Sequence, residues 1–327
     1  MAKALLSYYD AVFADLDGVV YEGGKAIDYA VPALEKVSEL GLKLAFVTNN
    51  SSRKPATIAE QIAGYGLKVS EEQVVSSGQT GVELLSTLIP AGSKVLVVGG
   101  EGLRTYTQQA GFELVDDSTA NPAAVIQGFS PDVGWKHLSE AAYSIQNGAK
   151  WVATNQDWTI PQERGVAPGN GTLVSAVHTA VGQLPLVAGK PEVAIFNTAI
   201  RRTQAQRPLF IGDRIDTDIL GANRSGIDSL LVLTGISQAK ELLAVKADSQ
   251  PKFVVADLRE LHLPYAQPKE TKFGFKLRGA EVELLGNKVR VISGDPKGID
   301  VLRCACKVIW NSGKAIHALD VASEIYE

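Results

Sequence analysis

Short apolar runs alternate with amphipathic stretches along most of the chain. Buried strands are predicted at residues 11–14, 43–47, 208–211 and 229–233. Helices are predicted between them at residues 31–41, 55–63 and 192–203. In the first of these segments, Pro32 near the helix start and Gly41 at the C′ position that closes it fit the usual residue preferences of helix ends. The repeated order of strand, helix and strand favours an α/β fold with a parallel sheet and helices on both faces.

The middle of the chain repeats this pattern independently. Apolar runs at 94–98, 123–127 and 150–154 predict three more strands, again separated by helical stretches. This second α/β unit lies between the strands at 43–47 and 208–211, so it interrupts the first unit. We therefore expect a discontinuous core at 1–85 and 184–266 and an inserted α/β domain at 86–183.

A third segment follows the charged stretch QPKETK at 267–272. Residues 273–327 predict a small β-β-α extension, with a hairpin turn at Gly286-Asn287. Its one helix is expected to have Asp295 as N-cap, Pro296 in the first turn and Gly313 just past its end. Cys304 and Cys306 lie in that helix and are expected to be small apolar core residues. No residue of this extension belongs to a recognisable catalytic or binding motif.

Composition excludes some classes of function. The chain has 327 residues, 45% of them hydrophobic and 21% charged, as in ordinary globular proteins. A net charge of -4 provides no overall basic field for nucleic acid. No apolar run approaches the ~18 residues needed to cross a membrane. Aspartates near the start of the chain interrupt it before a long apolar stretch can form, so this segment is a poor signal peptide. A cytoplasmic enzyme is the expectation.

Polar clusters follow three of the predicted strands, where ligands bind in open α/β sheets. They are DLDG at 15–18, TNNSS at 48–52 and GDRIDTD at 212–218. If the first strand continues through the first cluster, Asp15 and Asp17 point the same way, and such close carboxylates need a compensating cation. Mg²⁺ prefers oxygen ligands, and Asp213 and Asp218 offer more of them. A lone Asp-x-Asp can equally be a capped turn, but the second acidic cluster favours a metal site.

Four segments together resemble the signatures of haloacid dehalogenase (HAD)-type phosphohydrolases. They are FADLDGVVY, VTNNSS, AGKPE and FIGDRIDTDILGA, in the family's order and at plausible spacing. The segment at 153–174 is similar to the cap of the NagD-like and p-nitrophenylphosphatase-like branch, and the resemblance covers about residues 8–265. It implies a Rossmann-like core (the HAD fold) with a large cap inserted between the second and third signatures.

The resemblance also implies roles for the acidic residues. Asp15 would be the nucleophile that forms an aspartyl-phosphate, and Asp17 would be the general acid and base. Mg²⁺ would be held by Asp15, the backbone carbonyl of Asp17, and Asp213. Asp218 would orient metal-bound water or neighbouring loop atoms.

Phosphate-binding roles are implied for a lysine and for the end of the second strand. Lys190 would hold the phosphate and the nucleophile together, although Gly-Lys-Pro on its own is a common surface turn. The hydroxyl and amide donors of the second cluster suit phosphate oxygens, although such a loop can also simply cap a helix. These donors belong to Thr48, Asn49 and Asn50.

We therefore expect a Mg²⁺-dependent phosphomonoester phosphatase that acts on a small metabolite. Glycerol 3-phosphate is favoured because the C-terminal extension is similar to an arrangement in phosphatases of the actinobacterial type. Phosphoglycolate, pyridoxal 5′-phosphate and nucleotides are alternatives, and Asn155 and Asp157 in the cap are candidates for selecting among them. A metabolite-binding regulatory protein is the non-enzyme alternative, and a homodimer is possible.

Overall fold

The computed structural model describes residues 3–162 and 164–327 of the chain. Its α-helices are α1 (Ala30–Glu39), α2 (Pro55–Gly64), α3 (Ser77–Ser86), α4 (Glu101–Gln109), α5 (Trp135–Gln146), α6 (Asn170–Val181), α7 (Val193–Thr203), α8 (Leu220–Arg224), α9 (Ala239–Leu243) and α10 (Ile299–Asn311). Its strands are β1 (Ala11–Ala14), β2 (Tyr21–Glu22), β3 (Lys25–Ala26), β4 (Lys43–Thr48), β5 (Val74–Ser76), β6 (Lys94–Val98), β7 (Glu113–Val115), β8 (Ala124–Gln127), β9 (Lys150–Ala153), β10 (Thr159–Gln162), β11 (Gly165–Pro168), β12 (Leu186–Val187), β13 (Pro208–Gly212), β14 (Asp228–Val232), β15 (Phe253–Val255), β16 (Lys269–Glu270), β17 (Gly274–Leu277), β18 (Ala280–Leu285), β19 (Lys288–Ser293) and β20 (Asp320–Val321). The strands predicted at 11–14 and 94–98 have the observed bounds, and the other predicted strands differ only at their ends.

The described residues divide into two compact units. Unit 1 contains the residues up to Glu22, then Ala26–Lys43 and Arg207–Glu327. Unit 2 contains Gly23–Lys25 and Leu44–Gln206. This division differs from the predicted core and cap, because residues 44–85 and 184–206 group with the predicted cap segment. The functional division into core, cap and extension stays a prediction.

Unit 1 contains four parallel strands in the order β15-β14-β13-β1. Every residue of β1, β13 and β15 is buried, which is expected for a parallel sheet covered on both faces. All four strands run in the same direction, so the loops after β1 and β13 leave the same edge of the sheet. This arrangement confirms the predicted α/β fold with a parallel-sheet core.

The C-terminal residues form a second sheet in unit 1, in the order β16-β17-β18-β19-β20. Its pairs are antiparallel except for the parallel pair of β19 and β20. One apolar cluster joins this sheet and α10 to the region of the parallel sheet, and among its members are Ile219, Leu231, Val254, Val282, Val301, Cys304 and Ile309. The C-terminal module, defined here as residues 269–327, therefore shares a hydrophobic core with the elements that precede it.

Two details of this module differ from the sequence prediction. The predicted β-β-α extension has the hairpin and the helix, but its sheet has five strands because three short segments also pair. The helix begins at Ile299 rather than at Pro296. Asp295 instead forms a turn, in which its carboxylate accepts from the N–H of Lys297 and its carbonyl oxygen accepts from that of Gly298. Cys304 and Cys306 are buried free cysteines, as expected of core residues.

Unit 2 contains a parallel sheet in the order β12-β9-β8-β6-β7 and a parallel pair of β4 and β5. Alternate residues of β6 enter two different apolar clusters, Val95 and Val97 on one face and Leu96 and Val98 on the other. The five-stranded sheet is therefore buried on both faces. β10 and β11 form a separate antiparallel hairpin. Among the described residues, no helix has the length and apolar character that crossing a membrane requires.

Candidate active site

Asp15 directly follows β1 at the carboxyl end of a buried strand. Its N–H donates to the carbonyl oxygen of Ile211 on β13 at 2.9 Å, which fixes its backbone to the neighbouring strand. Asp15 is only 8% exposed. Four apolar residues precede it in the sequence and a leucine follows it. A carboxylate buried this far needs hydrogen bonds or a positive charge nearby.

The chain turns immediately after Asp15, so Asp15 and Asp17 do not continue the strand. The carbonyl oxygen of Leu16 accepts from the N–H of Val20 at 2.8 Å, and Gly18 has a φ of 77° that favours glycine. The Thr234 hydroxyl donates to the carbonyl oxygen of Gly18 at 2.7 Å. As a result, Asp15 is buried while Asp17 is exposed. The two acids therefore have different environments, which the sequence pattern alone did not distinguish.

Asp213 and Asp218 belong to the loop and π-helical turn that follow β13. Asp213 is 1% exposed, and its Oδ2 accepts from the N–H of Ile236 at 2.7 Å. Asp218 is fully buried, and its Oδ2 accepts from the N–H of Arg214 at 3.1 Å. Both side chains are therefore oriented by backbone donors.

The structure brings Asp15, Asp213 and Asp218 into one cluster. One carboxylate oxygen of each lies within 4.8 Å of the others, and all three residues are buried. Three ionised carboxylates at this separation repel one another, and a cation among them relieves that repulsion. Oxygen donors of this kind are the ligands that Mg²⁺ prefers, so the residues present fit that ion. The cluster includes Asp218, whereas the carboxylate of Asp17 is not part of it.

Two glycines allow the close approach of backbone to Asp213. A Cβ atom at Gly18 would lie 2.3 Å from Oδ2 of Asp213, and one at Gly235 would lie 2.1 Å from the same atom. Gly235, Ile236 and Ser237, whose N–H donates to the Asp213 carbonyl oxygen at 3.0 Å, were missed in the sequence analysis. The signal that could have found this loop is the Thr-Gly pair directly after the apolar run of β14.

Replacement of Gly235 by alanine is expected to weaken Mg²⁺ binding by about 10–100-fold, the usual range for residues that orient metal ligands. The added methyl group would displace the Asp213 carboxylate from its hydrogen bond with the Ile236 N–H. Isothermal titration with Mg²⁺ measures the effect. Gly279→Ala is the matched control, because a Cβ atom there meets nothing within 4 Å. Equal Mg²⁺ affinity in both variants would contradict the proposed importance of this close packing.

The second polar cluster lies at the end of β4 in unit 2. Thr48 is buried, and its hydroxyl oxygen accepts from the N–H of Asn50 at 3.1 Å. The side-chain oxygen of Asn50 accepts from the N–H groups of Ser52 and Arg53, both at 3.1 Å. This part of the cluster therefore stabilises its own turn, in agreement with the capping alternative. These hydrogen bonds use the side-chain oxygen of Asn50, so its amide N–H groups can donate to other partners.

Asn49 connects this cluster to Lys190. Its side-chain oxygen accepts from the Lys190 N–H at 2.8 Å, and its amide nitrogen donates to the Lys190 carbonyl oxygen at 3.1 Å. Lys190 is 3% exposed, so it does not lie in a solvated surface turn, which was the alternative interpretation of the Gly-Lys-Pro sequence. The pair of hydrogen bonds fixes the backbone of Lys190 relative to the end of β4.

Asn155 and Asp157 belong to the same network. Asn155 donates to the carbonyl oxygen of Asn49 at 2.8 Å, and Asp157 accepts from the amide nitrogen of Asn49 at 3.0 Å. Gly169 and Gly171 permit close approach here, because a Cβ atom at either position would lie within 2.3 Å of a backbone oxygen. Within unit 2 the structure thus gathers Asn49, Asn155, Asp157 and Lys190, and the hydrogen bonds of Asn155 and Asp157 support the position of Asn49.

Comparison with known proteins identifies the family. The model for "haloacid dehalogenase-like hydrolase" matches residues 12–113, and that for "HAD-hydrolase-like" matches residues 187–261. D-glycerol 3-phosphate phosphatase from Mycobacterium tuberculosis is 36% identical over 96% of this chain and 89% of its own length. The chain therefore belongs to the haloacid dehalogenase-like hydrolases, which confirms the resemblance seen in its four signatures.

Two solved structures and a further sequence relative agree with this assignment. The crystal structure of glycerol phosphate phosphatase from M. tuberculosis in complex with magnesium has a TM-score of 0.88 and 35% identity, over 98% of this chain and 95% of that one. NagD from Escherichia coli has a TM-score of 0.69 and 29% identity, over 76% of this chain and 96% of its own. Acid sugar phosphatase from Staphylococcus saprophyticus is 34% identical over 77% of this chain and 96% of its own length.

Proposed function

We propose that this protein is a Mg²⁺-dependent phosphomonoester phosphatase whose substrate is glycerol 3-phosphate. The observation that carries the proposal is the buried cluster of Asp15, Asp213 and Asp218 at the carboxyl ends of adjacent parallel strands. Such a cluster is costly without a cation, and a bound metal makes it useful for phosphoryl transfer. Membership of a hydrolase family with relatives named as phosphatases supports the reaction class.

The proposed reaction has two steps that use this chain's own acids. Asp15 forms a bond to phosphorus while the bond between phosphorus and the substrate's ester oxygen breaks, and Asp17 gives its proton to that oxygen. Asp17 then takes a proton from water, whose oxygen attacks phosphorus and releases inorganic phosphate from Asp15. The exposure of Asp17 suits this role, because a proton carrier must reach both the leaving oxygen and the incoming water.

The other site residues would bind rather than react. Asp15, Asp213 and the backbone carbonyl of Asp17 would hold Mg²⁺, with Asp218 orienting the loop or water beside it. The ion would neutralise charge on the phosphate oxygens as the carboxylate attacks. Lys190 would bind the phosphate with donors from Thr48, Asn49 and Asn50. The hydrogen bonds of Asn49 to both backbone groups of Lys190 support a positioning role for that amide.

The C-terminal module supports the choice of substrate. The match to D-glycerol 3-phosphate phosphatase extends over 96% of this chain, whereas acid sugar phosphatase and NagD match 77% and 76% of it. Phosphoglycolate, pyridoxal 5′-phosphate, nucleotides and sugar phosphates are the competing substrates. On the sequence alone, we also propose a cytoplasmic location and a homodimer.

Phosphate release from a panel of these esters tests the proposal. We expect glycerol 3-phosphate to have the highest kcat/KM, and EDTA to lower the rate at least about a hundredfold, since a Lewis acid contributes several kcal/mol. Added Mg²⁺ should restore the rate. Preference for another ester would overturn the substrate but keep the reaction class. No turnover of any ester by Mg²⁺-bound protein would favour the metabolite-binding alternative.

A further inference from the structure

A cavity of about 320 Å³ lies in unit 1 at the amino ends of the parallel strands. Its lining includes Arg207 just before β13, Asp228 at the start of β14 and Phe253 at the start of β15. The acidic cluster follows the carboxyl ends of β1 and β13, at the opposite edge of this sheet. The amino-end cavity, as we call it, is therefore a separate site that the proposed phosphatase reaction does not use.

Three aromatic rings form one wall of the amino-end cavity. The ring of Phe253 lies edge-on to that of Tyr9, at 6.4 Å between centroids, and to that of Tyr265, at 4.9 Å. Hydrogen bonds hold both tyrosines, since the Tyr9 hydroxyl donates to Asp228 at 2.7 Å and that of Tyr265 accepts from the Val254 N–H at 3.1 Å. The wall is therefore a fixed aromatic surface, of the kind that packs against another ring.

The charged residues of the cavity are mostly cations. Lys3, Arg207 and Lys252 line it together with one acid, Asp228. Oδ2 of Asp228 already accepts from the Lys252 ammonium at 2.5 Å and from the Tyr9 hydroxyl. The Asp228–Lys252 pair is thus neutral overall, and Lys3 and Arg207 add positive charge beside the aromatic wall. An anion is the ligand that this charge distribution attracts.

We propose that the amino-end cavity binds a small aromatic anion, with the ligand's ring against the aromatic wall and its acidic group against Arg207 and Lys3. Its volume is near the lower end of the usual range for ligand pockets, about 300–1,000 Å³, which suits a single ring system. An arginine can bind a carboxylate or a phosphoryl group through two parallel hydrogen bonds. The backbone N–H of Arg207 donates to the carboxylate Oδ1 of Asp10 at 2.8 Å, which fixes the backbone from which the guanidinium extends.

Titration of the full-length protein with four small probes tests the proposal, in EDTA so that no metal-dependent binding contributes. The two aromatic anions are 4-hydroxybenzoate and phenylphosphonate, the latter having no ester bond to hydrolyse. Cyclohexanecarboxylate retains the charge without an aromatic ring, and benzyl alcohol retains the ring without the charge. We expect saturable binding at millimolar or lower concentrations for an aromatic anion, at least about tenfold tighter than for either control. Tighter binding of one anion identifies the acidic group as carboxylate or phosphoryl.

A pair of double variants locates the binding. Lys3→Ala/Arg207→Ala is expected to weaken binding of the aromatic anion at least about tenfold, which corresponds to the loss of one charge-assisted hydrogen bond. Lys288→Ala/Arg290→Ala removes the same charge from exposed positions of β19 and should bind as the wild type does. No saturable binding of either anion would overturn the proposal, and so would equal affinity in the two double variants. Circular dichroism and urea unfolding establish that both variants are folded.

Discussion

Asp15→Asn is expected to lower kcat for phosphate release by at least about 10⁴-fold, the scale on which loss of a catalytic nucleophile acts. An asparagine side chain has nearly the same shape, so the burial of this position and its hydrogen bond to Ile211 are preserved. Its amide cannot form the aspartyl-phosphate, and it also removes one charge from the proposed metal site. Steady-state phosphate release with glycerol 3-phosphate and saturating Mg²⁺ measures the change.

Asp116→Asn is the control for this prediction, because it removes the same charge from an exposed carboxylate. In the described part of the chain, that carboxylate forms a salt bridge with Arg104 at the surface. The control should retain the wild-type rate within about twofold, as is usual for surface substitutions. Acid-quenched wild-type enzyme should also yield a phosphorylated peptide that contains Asp15. If Asp15→Asn released phosphate at the wild-type rate, the assignment of the nucleophile would be wrong, while another residue could still support a phosphatase reaction.

The strands and helices were predictable because their signal is local. β1, β13 and, after Lys94, β6 are continuous apolar runs, and in a parallel sheet covered on both faces such runs leave little ambiguity. The acidic clusters after β1 and β13 were predictable for the same reason, since the carboxyl end of a buried strand determines where they lie. The helix α10 shows the limit of local signals. Asp295 and Pro296 are good residues for a helix start, yet Asp295 caps a separate turn and the helix begins later.

Interactions between distant segments were not predictable. Gly235 and Ile236 contribute to the acidic site through contacts with Asp213, which is far from them in sequence but adjacent in the fold. Asn155 was expected to face a substrate, and the structure shows its amide donating to the backbone of Asn49. A polar side chain at a strand end can bind either a ligand or another loop. Whether it binds a ligand or a loop depends on the segment that packs against it, and the local sequence pattern contains no information about that segment.

Arg303 is another residue whose role no local pattern indicates. It lies on α10 with a side chain that is 2% exposed, and its guanidinium donates twice to the Val254 carbonyl oxygen, at 2.8 and 2.6 Å. It also pairs with Glu260 at 2.6 Å and lies over the ring of Tyr265, 4.4 Å from the centroid. A buried arginine with several charge-assisted partners is costly to lose, because those partners remain. Arg303 therefore attaches the C-terminal module to the edge strand β15 of the parallel sheet.

Arg303→Met is expected to lower the free energy of unfolding by about 3 kcal/mol, the lower end of the range for breaking a buried ion pair, because Glu260 is partly exposed. Urea unfolding of the full chain measures the change. Arg278→Met is the matched control: its salt bridge to Asp300 lies at the surface of the same module and should contribute less than about 1 kcal/mol. Adding Glu260→Gln to Arg303→Met should recover part of the loss, since it removes the unpaired carboxylate. Equal destabilisation by the two arginine variants would mean that apolar packing alone attaches the module.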